Sequence, residues 1–112
     1  MTSAKYSQSI ESLVVDTAVG NSGEINYGDF EKGMVSVPAG SSLTTLTWHS
    51  SVTGVASNGT YLPVFSSAAV PAAVTQTVSA GKSYPIPVDL FGARFLKITG
   101  NVAGVVGVTL KD

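Results

Sequence analysis

The stretch LTTLTWHSS places His49 directly before Ser50 and Ser51, and a histidine beside serines invites a hydrolytic reading. In that chemistry an imidazole takes the proton of a serine hydroxyl while an acid orients the ring. His49 is the sole histidine of the chain, so it is the sole candidate base of this kind. Neighbours on an extended chain project to opposite faces, and no GxSxG elbow accompanies the pair. His49 therefore reads as a strand histidine at a surface or subunit contact. No catalytic residue is assigned, and the expectation is a protein that is not an enzyme.

The acids offer little more. Glu24, Asp29 and Glu31 are close enough in sequence to raise a calcium loop, but the acid spacing and terminal bidentate glutamate of an EF-hand are missing. They read as a polar loop crossing the end of a domain, with no metal expected. Five of the seven acids fall within the first 31 residues, and nothing in their spacing pairs two of them for glycoside chemistry. Gly100, Gly104 and Gly107 precede the strand-like VVGVTLK and not a helix, so they form no phosphate cradle and fit a hairpin with close backbone packing. Asn58-Gly59-Thr60 has the form of a glycosylation sequon and reads as a turn. Cysteine is absent, which removes disulfides and thiolate metal sites. No cofactor is expected.

Trp48, Tyr61 and Tyr84 are the aromatic residues that would suit a sugar-binding surface. Trp48, however, shares a face with Leu46 in mid-strand, the pattern of a core tryptophan.

The elements that carry these residues follow from a period of two. Leu46 and Trp48 alternate with Thr45, Thr47 and His49; Tyr84, Ile86 and Val88 alternate with Pro85 and Pro87; Leu96 and Ile98 alternate with Phe95, Lys97 and Thr99; Val106, Val108 and Leu110 alternate with Gly107, Thr109 and Lys111. Turn signals such as GNSGE, PAGSS, SNGT, SAGKS and TGNVAG punctuate them at short intervals. The spacing predicts an all-β fold, an antiparallel β-sandwich of jelly-roll type. About eight short strands are expected, near residues 10–15, 33–37, 43–50, 60–65, 73–79, 83–88, 93–99 and 104–111, with minimal helix. Pro85 and Pro87 lack N–H donors, which restricts their strand to a sheet edge. Residues 1–9 read as a polar N-terminal arm containing Tyr6, and residues 10–112 as a single domain.

At 112 residues the chain is long enough for one core. Charged residues make up 12%, about half the usual share, and Gly33 to Gly81 is a run of 49 residues without Asp, Glu, Lys or Arg. Net charge is −1, so no basic footprint points to nucleic acid or anionic lipid. Residues 1–32 hold two lysines against five acids, and residues 82–112 four cations against two acids. The start, MTSAKYSQSIESLVV, lacks an apolar signal-peptide region, and the uncharged run carries Pro63, Pro71 and Gln76 among many Ser and Thr; neither secretion nor membrane insertion is expected. A surface poor in ions suits assembly, because no ion need be desolvated at a contact.

The segments VPAGSSLTTLTWHSS, NGTYLPVF, VSAGKSYPIPVDLFGARFLKITG and GVVGVTLKD, in that order, resemble the small β-sandwich decoration, or cement, proteins of tailed bacteriophages. The resemblance runs from about Met34 to Asp112, and the first 30 residues fall outside it. It implies a virion structural protein on the capsid exterior, assembled in the host cytoplasm and binding the major capsid protein across capsomer junctions. It also implies a homo-oligomer, dimer or trimer, at local symmetry axes. Tyr6 and Ile10 near the N-terminus, and Phe91 in the DLFGA turn, are the residues expected at a capsid or self interface. The alternatives are a tail- or fibre-associated sandwich and a carbohydrate-binding module.

Overall fold

The computed structural model describes residues 7–28, 30, 32–55, 59–90 and 92–111. Among them run nine strands: β1 (Ser7–Val15), β2 (Glu24–Asn26), β3 (Lys32–Val37), β4 (Thr45–Ser51), β5 (Leu62–Pro63), β6 (Thr75–Thr77), β7 (Lys82–Pro85), β8 (Phe95–Gly100) and β9 (Gly104–Lys111). Two single turns of 3-10 helix, Val19–Asn21 and Val88–Leu90, complete the regular structure described.

The strands form two antiparallel sheets. One has the order β1-β9-β3-β7; the other has the order β2-β8-β4-β5, with β6 also paired to β4. Alternation decides which side chains meet between the sheets. Val35, Val37, Val106, Val108 and Leu110 face Leu46, Trp48, Leu96 and Ile98, all at most 2% exposed. Each such aliphatic side chain contributes about 1.5–3 kcal/mol of burial. The expected antiparallel sandwich is the observed fold.

Differences from expectation lie at the ends of elements. β1 starts at Ser7 rather than residue 10, its first three residues pairing with Lys111, Leu110 and Thr109 of β9. β2 was not expected; the polar loop assigned to Glu24 is in fact a short strand in which Glu24 opposes Lys97 of β8. With one apolar residue, Ile25, it is too short to show alternation and depends on its neighbour for stability. Asp29 and Glu31, like the Asn58 turn, lie outside the described residues. The strand expected at 83–88 ends at Pro85, and Val88–Leu90 curls into a 3-10 turn.

Two predictions about special residues are met. β7 is the outermost strand of its sheet, with Pro85 opposite Met34, as a residue without an N–H requires. Gly100 is packed so closely that an added Cβ would lie 2.5 Å from Leu43 Cδ2 and 2.8 Å from the Val102 carbonyl oxygen.

Candidate interaction surface

The uncharged middle of the chain forks at Trp48. Thr75 and Thr77 of β6 pair with Thr47 and Thr45 of β4, while Leu62 and Pro63 of β5 pair with Ser50 and His49 of the same strand. Between these pairings the chain leaves the sheet. Trp48 N–H donates to the Val74 carbonyl at 3.1 Å, Trp48 accepts from Val64 N–H at 3.0 Å, and beyond that point the two segments bond to each other. Val74 N–H donates to Val64 O at 2.7 Å, Ser66 N–H to Ala72 O at 2.8 Å, and Phe65 bridges Ala73. The result is a two-stranded finger, residues 64–74, with its tip at Ser67–Pro71.

The finger is rooted in the core and bare along its length. Val74 is 6% exposed, whereas Phe65 is 56% and Val70 83% exposed, and Leu62 of β5, just before the finger, adds a bare side chain at its base at 63%. Ala68, Ala69, Pro71, Ala72 and Ala73 are exposed as well. An isolated two-stranded ribbon is marginal in water, and this one presents apolar side chains without a single charge. At its base, Trp48 Nε1–H donates to Gln76 Oε1 and Gln76 Nε2 donates to the Pro85 carbonyl, both at 2.9 Å. That amide joins the edges of the two sheets beneath the finger.

The outer face of the second sheet holds a row of polar groups, Glu24, Lys97 and His49, in cross-strand register on β2, β8 and β4. Tyr61 folds over this row. Its hydroxyl donates to Glu24 Oε2, which also accepts from Val55 N–H at 2.7 Å. Lys97, only 6% exposed, donates to the Val19 carbonyl at 3.3 Å and lies 4.9 Å from the centre of the Tyr61 ring, a cation–π distance. Burial, followed by the hydrogen bond and charge of Glu24, pushes the Tyr61 hydroxyl well above its ordinary value. Glu24, Tyr61 and Lys97 find their partners inside the protein, so the three act as a latch that holds Val55 and Tyr61 on the sheet.

His49 donates or accepts through Nε2 with Thr99 Oγ1 at 3.0 Å, and Ser51 Oγ accepts from Gly54 N–H at 3.1 Å. Ser51, the serine on the His49 face, is thus engaged with the Gly54 backbone. Burial holds the His49 imidazole below its ordinary pKa. A cleft of about 400 Å³ is lined by Asn26, Gly28, Phe30, Gly92, Ala93 and Arg94, none of them a member of the latch. Its one ionisable described residue, Arg94, lies 5.6 Å from the centre of the Phe95 ring.

Of the interface residues expected from sequence, Ile10 sits on β1 opposite Val108, half-buried and packed against the core. Tyr6 and Phe91 lie outside the described residues. The sugar-binding aromatics are all occupied: Trp48 is 0% exposed, Tyr61 is in the latch, and the half-buried Tyr84 packs on the core while its hydroxyl accepts from Ser79 N–H at 2.8 Å. The finger was visible in sequence as an uncharged run, but its exposure was not.

Among the described residues no group of three or more His, Cys, Asp or Glu side chains is placed to hold a metal ion. No family model and no curated protein matches the chain. Its fold is similar to that of the SPBc2 prophage-derived protein YomS, whose crystal structure aligns with a TM-score of 0.60 at 11% sequence identity, covering 100% of this chain and 98% of that one.

Proposed function

We propose that this chain is a non-enzymatic virion structural protein that decorates the outside of a tailed-phage head, bound to the major capsid protein at capsomer junctions. The observation that carries the reading is the exposed, uncharged finger. A projection of Leu62, Phe65 and Val70 is unfavourable in bulk water and stabilising once covered, at about 1.5–3 kcal/mol for each side chain fully buried. Such a surface belongs on a subunit that works in an assembly. The head is favoured as the assembly by the sequence resemblance to decoration proteins, while a fold similar to that of a prophage-derived protein supports the phage setting alone.

Area is consistent with this role. Contacts to two or three neighbours at about 800 Å² each would cover from roughly a quarter to over a third of the 6506 Å² accessible surface. Each contact contributes modestly, and symmetry repeats it over the shell, which raises resistance to heat and internal pressure.

The test is sedimentation of the purified protein with undecorated heads, and separately with tails, of the parent phage. Saturable binding to heads at a fixed ratio to the major capsid protein, with a raised disruption temperature, is the expected result. Binding to tails alone would move the protein to the tail, and binding to neither would remove the virion reading.

A further inference from the structure

We infer that the finger is a self-association element and that two copies of this chain pair through it across a two-fold axis, burying Leu62, Phe65 and Val70 between them. The inference rests on the assembly reading for its setting, a shell on which copies lie side by side, while the pairing itself is a property of the isolated protein.

Charge is the first argument. At a two-fold contact each patch meets itself, so any ion near the axis faces its own copy. From Leu62 to Ala73 there is no charged residue, and this segment meets its own copy without like-charge repulsion. The second argument comes from the other sheet edges. β7 carries Lys82 and ends at Pro85, β2 is three residues long with Glu24 in it, and β1 breaks register between Ile10 and Leu13, where Glu11 sits. Charge, proline, short length and a bulge are the devices that stop edges from pairing. The finger has no charge, and its two neighbouring prolines, Pro63 at the base in β5 opposite His49 and Pro71 in the tip, both lie clear of the paired segments Val64–Ser66 and Ala72–Val74. The third argument is that a two-stranded ribbon becomes stable when further strands or an apolar face join it, and a second finger provides both.

The size of the contact sets its strength. Twelve residues, 62–73, are about half the number that a stable interface uses per side, so the pairing is reversible, with Kd on the order of tens of micromolar. On a shell, where neighbours are held close, that affinity is sufficient for occupancy.

Sedimentation velocity of the wild-type protein over about two decades of concentration, reaching about 0.5 mM, tests the inference. A monomer–dimer equilibrium is expected that does not weaken in high salt. Val70→Asp and Phe65→Asp each place an ion in the contact and should raise Kd at least about tenfold, with unchanged circular dichroism and melting temperature. Val52→Asp, at an equally bare valine away from the finger (82% exposed), should leave the equilibrium alone. A wild-type protein that stays monomeric, or a dimer indifferent to both finger variants, overturns the inference. If the wild type is monomeric but Val70→Asp abolishes sedimentation with heads, the finger contacts the shell protein; self-pairing is overturned and decoration stands. Dimerisation lost in the finger variants, without binding to heads, upholds the inference and removes decoration.

Discussion

Trp48 and Gln76 are joined by a 2.9 Å hydrogen bond from the indole Nε1–H to the amide Oε1, and the same amide donates onward to Pro85 O at 2.9 Å. One side chain thus satisfies the only polar atom of a fully buried indole and ties the edge of one sheet to the edge of the other.

Gln76→Ala leaves the indole N–H without its acceptor and the Pro85 carbonyl without its donor. An unsatisfied buried donor costs about 1–3 kcal/mol, which for a domain of this size lowers Tm by roughly 4–12 °C. Calorimetry should record that loss, while tryptophan emission stays at the short wavelength of a buried ring. Added glycans should leave the emission of the wild-type protein unchanged, since Trp48 is 0% exposed.

Alkaline stability is expected to depend on Tyr61. Its pKa is raised in the folded chain by burial, then by the hydrogen bond and charge of Glu24, from an ordinary value of 10.0. The unfolded chain therefore releases this proton first, so the stabilisation is whole below pH 10 and declines as pH rises beyond it. Tyr61→Phe should lower stability at neutral pH by about 1 kcal/mol and flatten the alkaline decline. Tyr27, whose pKa burial also raises, accounts for decline that remains. Urea midpoints measured from pH 8 upward check both parts.

Mild acid should act through His49. Burial lowers its pKa from 6.5, so below that value the unfolded chain binds a proton that the folded chain resists, and stability falls as pH drops. His49→Gln keeps a hydrogen-bonding group opposite Thr99 without titrating and should reduce the slope just below pH 6.5. Asp16 enters only at lower pH. The Ala18 backbone N–H, chief among its hydrogen bonds, holds its carboxyl below 3.8, so its contribution is lost as pH falls below that value. Urea midpoints for wild type and variant between about pH 2 and pH 8 distinguish the two windows.

Gly54 has φ of +74°, and a Cβ there would lie 3.0 Å from both Glu24 Oε2 and the Phe95 ring. Gly40 has φ of +83° with open space around it. Gly40→Ala therefore measures the left-handed backbone penalty alone, about 1–2 kcal/mol. Gly54→Ala should cost more, because the added methyl displaces the carboxylate that Tyr61 and Val55 share. Comparing the two variants by thermal melts isolates the contribution of the latch.

The sandwich itself was legible because its longer strands alternate. Leu46 and Trp48 of β4, and Val106, Val108 and Leu110 of β9, reveal their buried face within single segments of seven and eight residues. Pro85 announced an edge for a reason local to its own ring. β2 stayed hidden because a three-residue strand with one apolar residue has no period to detect. The latch stayed hidden for a different reason: Glu24, Tyr61 and Lys97 are far apart in sequence, and only the pairing of β2 with β8 and the return of the Tyr61 loop bring them together.

By itself the sequence determined an all-β domain with one core and a long uncharged middle, because strand periodicity and composition are properties of neighbouring residues. The tertiary structure decided what that middle does. Val70 and Val74 are the same residue type four positions apart, yet one is 83% exposed on the finger and the other 6% exposed at its root. The division arises where the Trp48 backbone donates to one segment, at Val74, and accepts from another, at Val64, and releases the chain between them into solvent, a choice set by sheet pairing and not by the residues it exposes.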